Sequence, residues 1–186
     1  MLLNRITLYF ILFFSLNFQN LIADDKKNII QKLINTNSIK FNFEQKTNED
    51  IENGFCHLKF QNKLKCIYDD DKKKEMIINE NNLIIFQKRY DKKYYYPVSK
   101  SMFKQILNKE ELISLINKSE VELRNNEINL INYDNKQNKI IILFNKENYD
   151  FLGWKIQDQF NNRITFIIEI LSVNHLIDDK IFKIPE

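Results

Sequence analysis

Apolar and polar residues alternate with a period of two over most of this chain. In Ile39–Lys46, Ile39, Phe41 and Phe43 share one parity, while Lys40, Asn42 and Glu44 take the other. That pattern predicts a strand with one buried face. Phe55–Tyr68 (FCHLKFQNKLKCIY) alternates, reverses at Gln61-Asn62 and alternates again. A three-residue turn centred on Gln61 sets Cys56 opposite Cys66. Leu58, Phe60, Leu64 and Tyr68 then share the cysteines' apolar face, and His57, Lys59, Lys63 and Lys65 the polar one. Asn48–Asn53 reads as a polar turn, with Gly54 opening the hairpin. Further strands are predicted at Glu75–Asn79, Leu83–Arg89, Tyr94–Val98, Val121–Leu123 and Glu127–Tyr133. Lys139–Asn145, Phe151–Phe160, Ile164–Val173 and Ile181–Ile184 follow. Ten or eleven short strands joined by polar turns make an antiparallel meander rather than βαβ units.

Two stretches break the period. Asp24–Asn37 places Ile29, Ile30, Leu33 and Ile34 at helical spacing, after a pair of aspartates suited to a helix start. Ser101–Ser119 reads as two short helices or one broken one. Met102, Phe103, Ile106 and Leu107 form a first apolar face, and Leu112, Ile113, Leu115 and Ile116 a second. Asn108, followed three residues later by Glu111, forms a capping pair between them. These helices, set in the middle of a β protein, are apolar enough to close over something.

The amino terminus has a different character. Met1–Arg5 carries one positive charge, Ile6–Phe18 is almost uninterruptedly apolar, and Ala23 precedes Asp24-Asp25. This is the layout of a secretory signal, with cleavage expected near Ala23. Residues 1–23 are therefore assigned to the signal and 24–186 to one exported domain. Charge excludes little more: the net value is +3 and the lysines are matched by carboxylates. No localised basic patch of the kind nucleic-acid binding needs is evident.

Catalytic chemistry finds little support. His57 and His175 are isolated in sequence, and no metalloprotease, dithiol, nucleophile-elbow or phosphate-loop motif occurs. No cofactor is implied. Cys56 and Cys66 admit three readings: a disulfide, two buried thiols or half a metal site. Export to an oxidising compartment, the even count and the shared face favour the disulfide. The aromatics fall mostly on apolar faces, as in an ordinary core. Together, on one curved sheet incompletely covered by helices, they could also line a hydrophobic cavity.

Several segments, in order, resemble a known family. They are F-N-F-E-Q (Phe41–Gln45), the K-F-Q-N-K-L-K-C-I-Y hairpin (Lys59–Tyr68), L-I-I-F (Leu83–Phe86), L-G-W-K-I-Q-D followed by N-N-R-I-T-F, and the closing K-I-F-K-I-P (Lys180–Pro185). The chain resembles the LolA-type periplasmic lipoprotein carriers of Gram-negative bacteria. The resemblance implies a mainly β fold, an open half-barrel of antiparallel strands with a helical lid over its concave face. It implies a periplasmic monomer without enzymatic activity. Its cargo would be acylated lipoproteins, taken from an inner-membrane ABC-type releasing complex and passed to an outer-membrane acceptor.

On that reading Phe41, Phe43, Leu58, Phe60, Leu64, Tyr68, Trp154, Phe166 and Ile168 line the acyl cavity. Met102, Phe103, Ile106, Leu107, Leu112 and Ile116 face it from the lid. A cavity wall of this kind would accept Leu64→Glu with little loss of folding. The chain departs from the family at two points. Phe60-Gln61 stands where the family keeps an Arg-Pro whose arginine is associated with holding the lid, and Cys66 replaces an aromatic. Two other classes remain: a periplasmic module that senses lipid or lipoprotein on the same half-barrel, and a secreted hydrolase that pairs a histidine with a nucleophile.

Overall fold

The computed structural model describes residues 24–100, 103–134, 137–158 and 160–184. Eleven strands form one sheet, every neighbouring pair antiparallel. They are β1 (Ser38–Thr47), β2 (Asp50–Lys59), β3 (Lys63–Tyr68), β4 (Lys74–Asn79), β5 (Asn82–Gln87), β6 (Lys92–Pro97), β7 (Glu120–Arg124), β8 (Glu127–Tyr133), β9 (Lys139–Asn145), β10 (Phe151–Gln157) and β11 (Arg163–Val173). Their order is β6-β5-β4-β3-β2-β1-β11-β10-β9-β8-β7. Two meanders therefore run outward from a central β1–β11 pair, and the sheet does not close into a barrel.

That topology explains where the helices go. Helix α1 (24–34) leads directly into central β1. α2 (Phe103–Leu107) and α3 (Lys109–Lys118) lie in the connection between β6 and β7, the two opposite edges of the sheet. A link from edge to edge must cross one face. The apolar side of this link places Ile106, Leu107, Leu112 and Ile116 in the same buried cluster as the inward residues of the strands. α3 starts where its sequence says it should: the Asn108 side chain accepts a hydrogen bond from the Glu111 N–H at 2.9 Å.

The hairpin register agrees with a turn centred on Gln61. Lys59 pairs with Lys63, Leu58 with Leu64 and Cys56 with Cys66, and the two cysteines are joined by a disulfide. Elsewhere the strand ends differ. β2 begins at Asp50, so Asn48-Glu49 alone makes the turn. The polar Asp50–Asn53 still pairs with β1, because the backbone ladder continues past the edge of the core. Ile181–Ile184 is not a strand. Asp179–Phe182 is a 3-10 turn, opened by Asp178 accepting from the Lys180 N–H, and it buries Phe182. This turn packs on β3 and β4.

Both glycines occupy strand positions where a side chain cannot fit. A Cβ on Gly54 would lie 2.1 Å from the Ile67 carbonyl oxygen. One on Gly153, whose φ is +129°, would lie 2.0 Å from that of Phe166. Gly54 sits in register between Phe43 and Tyr68, and its missing side chain lets those rings meet edge to face at 4.9 Å.

Candidate functional site

The inward face of the sheet carries a continuous aromatic row. Tyr68 meets Phe43, Phe43 stacks on Phe166 at 4.9 Å, Phe166 on Trp154 at 4.2 Å, and Trp154 on Phe151 at 6.0 Å. Phe144 closes the row against Phe151 at 5.6 Å. Five strands thus share one packed floor. Burial holds the Tyr68 hydroxyl well above its ordinary pKa, with the carboxylates of Glu52 and Asp70 adding to the effect. The phenol stays neutral and donates to Gln45 Oε1.

A distinctly apolar space opens to one side of this row. It is bounded by Ile29 and Leu33 of α1, Ile39, Leu58 and Phe60 of the strands and hairpin turn, Ile106 and Leu112 of the later helices, and Phe144, Phe151, Ile170 and Val173 opposite. Its volume is about 40 Å³. A site for a ligand of drug size is on the order of 300–1,000 Å³. This space holds a few waters at most. Among the described residues, the helices pack over this part of the concave face and leave little room.

All nine residues expected to line the cavity are buried in one cluster on this face, but they have different surroundings. Leu58 and Phe60 border the open space, as do Ile106 and Leu112 from the lid set. Phe43, Tyr68, Trp154 and Phe166 belong to the stacked row. Phe41, Leu64, Ile168, Leu107 and Ile116 are packed away from the space. Met102 and the side chain of Phe103 lie outside the described residues, as does the whole segment 1–23. Leu64 is only 3% exposed. A glutamate there would enter packed core while the helices are closed, so the tolerance expected of a cavity wall does not hold for it. Sequence reasoning missed Ile29 and Leu33. Their helical spacing was legible, but not the surface that α1 covers.

Phe60, where the resemblance leads one to expect an arginine, is buried, and lysines tie the helices to one another at their margins. Lys109, at the start of α3, donates to the Ile34 carbonyl at 3.0 Å and to Asn37 Oδ1 at 3.2 Å. Its ammonium lies 5.3 Å from the centre of the Phe60 ring. Lys26, near the start of α1, donates to the Asn117 and Ser119 carbonyls at 3.0 and 2.7 Å. Each helix thus places a cation on the carbonyl end of the other, where the helix dipole favours it. Partial burial lowers the pKa of both ammonium groups.

On its other side α1 is tied to the β9–β10 loop. Lys146 pairs with the buried Asp25 at 2.5 Å, and Lys32 with Asp150 at 2.6 Å. The hairpin contributes one backbone bond to the lid, from the Asn62 N–H to the Leu107 carbonyl at 3.4 Å.

The two histidines, isolated in sequence, meet on the outer face. His57 Nδ1 lies 3.3 Å from His175 Nε2, and His175 Nδ1 lies 3.3 Å from Ser172 Oγ. This Ser172–His175–His57 chain does not border the apolar space. Among the described residues, no group of three or more potential metal ligands occurs.

The family is decided by sequence. The model of "Outer membrane lipoprotein carrier protein LolA" matches residues 34–185. This chain belongs to the LolA family. No curated protein matches it by sequence. Solved structures share the fold at low identity. An uncharacterized conserved protein from Thermus thermophilus superposes with a TM-score of 0.56 at 8% identity, covering 88% of this chain and 94% of that one. A chain of the Pseudomonas aeruginosa MucA/MucB complex gives 0.52 at 10% identity, over 88% of this chain and 61% of that one. A DUF1329 family protein from Desulfovibrio piger gives 0.50 at 8% identity, over 87% and 97%. The LolA-family match thus accords with an open antiparallel sheet whose concave face is closed by helices.

Proposed function

We propose that this LolA-family chain is a periplasmic carrier. It binds the acyl chains of lipoproteins between sheet and helices and moves them from the inner to the outer membrane. The observation that supports this most is how the concave face is closed. Its inner surface is mostly apolar, and α1, besides burying Ile29 and Leu33, is fastened at its margins by lysine contacts. Polar ties of this kind are each worth little, about 1 kcal/mol. A long acyl chain withdraws roughly 0.8 kcal/mol of CH₂ surface per carbon from water. Acyl chains can take over the apolar contacts that the helices now make with the sheet, so the net cost of displacing the helices is set largely by these ties, and the apolar residues behind them receive the cargo. The donor is an inner-membrane releasing complex and the acceptor an outer-membrane component. Carrying requires neither a covalent step nor a cofactor.

The protein purified after export should retain, or accept from inner membranes, a lipoprotein that is lost when its acyl chains are removed. Purification empty from a lipoprotein-rich host, with no transfer from membranes, contradicts the proposal. The resting space of about 40 Å³ favours one second reading, a module on the same fold that senses lipid or lipoprotein. Such a module would bind its signal without handing it on, so transfer to outer membranes separates the two.

A further inference from the structure

The sheet ends on β6 in an unusual way. Residues 88–96 read K-R-Y-D-K-K-Y-Y-Y, four cations and four tyrosines against a single carboxylate. β6 is the last strand of the sheet and pairs only with β5. Tyr90, Tyr94, Tyr95 and Tyr96 are 53%, 41%, 63% and 48% exposed. Other large hydrophobic side chains among the described residues are exposed as well, but nowhere else do four stand within seven residues.

Register assigns the two faces. Tyr94 and Tyr96 lie opposite Ile85 and Leu83, on the face of the core. Tyr95 lies opposite Ile84 on the outer face. The edge is thus ringed by phenols on both sides. Lys88 pairs with Glu75 at 2.5 Å, Arg89 donates to the Asp71 carbonyl, and Lys93 lies over the Phe86 ring, so the edge keeps its cations in place beside the tyrosines. The adjoining turn, Asp69–Lys74, is balanced at three acids and three lysines. It leaves the excess positive charge of the edge intact.

We infer that the β6 edge is a docking surface for an anionic lipid bilayer. Phenols with an apolar body and a polar tip settle at the level of lipid headgroups. Lysine and arginine beside them are drawn to anionic lipid. A protein partner added as a further strand fits less well. Pro97 and the two lysines at the start of β6 are the devices by which edges avoid strand pairing. Docked in this way, the exposed end of the concave sheet faces the membrane. The inference needs only a bilayer and no cargo, so it stands or falls separately from the carrier proposal.

The test is sedimentation of the exported protein with two kinds of vesicle, phosphatidylcholine alone and phosphatidylcholine mixed with phosphatidylglycerol. The protein binds the anionic vesicles, and binding weakens as salt rises. The double variant K92Q/K93Q loses about 30-fold, as expected for two lysines at an anionic surface. Replacing Tyr94, Tyr95 and Tyr96 by serine weakens binding to both vesicles. K27Q/K118Q, which removes the same charge from exposed positions elsewhere, leaves binding unchanged. Thermal melting confirms that each variant is folded. Absence of vesicle binding overturns the inference, as does equal loss in K27Q/K118Q. Capture of a protein through β6 by a chain that ignores vesicles overturns it too.

Discussion

Removing the charge of Lys109 should make the protein bind acyl chains more tightly. Lys109→Met keeps the aliphatic stem against Phe60 and deletes only the ammonium. That group donates to the Ile34 carbonyl and to Asn37, and sits 5.3 Å from the Phe60 ring. Two hydrogen bonds of about 1 kcal/mol each, with roughly 0.5 kcal/mol from the cation over the ring, give a closing contribution of about 2.5 kcal/mol. On the carrier proposal, a resting space of about 40 Å³ is too small for an acyl chain, so binding requires the helices to open. Apparent affinity is therefore the intrinsic affinity scaled by the fraction of open molecules. Loss of about 2.5 kcal/mol raises that fraction ~70-fold and lowers the apparent Kd of a fluorescent long-chain fatty acid by the same factor. Amide hydrogen exchange in residues 24–34 and 109–118 should quicken in parallel. Unchanged or weaker fatty-acid binding in a variant whose helices exchange faster refutes the reasoning.

Other consequences can be measured independently. Gly153→Ala places a methyl on a backbone with φ +129° and 2.0 Å from a carbonyl oxygen. It should cost about 3 kcal/mol or more, a fall in Tm of roughly 6–12 °C by calorimetry. Reducing Cys56–Cys66, which closes a loop with a sequence separation of 10, should remove about 3 kcal/mol in a denaturant titration. Leu64→Glu should lower stability by several kcal/mol, because its carboxylate enters packed core; a melting curve like that of the parent protein excludes this. His57 is held below its ordinary pKa by burial, then by His175, Lys40 and Lys65. The folded state therefore binds fewer protons than the unfolded one just below pH 6.5. Stability should fall as pH drops from about 6.5 to the lowered value, and level off below it. His57→Gln should flatten that slope in urea midpoints taken from pH 5 to 7.5.

The strands were readable because each buries one face, and a period of two records that directly. The hairpin register followed from the same parity once Gln61 was taken as the centre of the turn. Pattern failed where burial has another cause. Ile181 and Phe182 are apolar because a 3-10 turn packs on β3 and β4, not because they alternate in a sheet. Of the site, the shared apolar face was legible, but not which residues border the remaining space. That depends on how α1 crosses the sheet, and Ile29 and Leu33 carry no mark of it. The lysine ties were hidden for a different reason. Lys26 reaches carbonyls more than 90 positions away, and a lysine's partner is not encoded near it. His57 and His175, 118 positions apart, were hidden likewise.

The central claim is that acyl cargo lies between the helices and the sheet. Photo-crosslinking from single positions in an exporting cell tests it most directly. A photoreactive residue at Ile106, on the inner space, should capture an acylated lipoprotein, whereas one at Leu171, on an exposed strand position outside it, should not. Capture from Leu171 alone, or equal capture from both positions, would contradict the account.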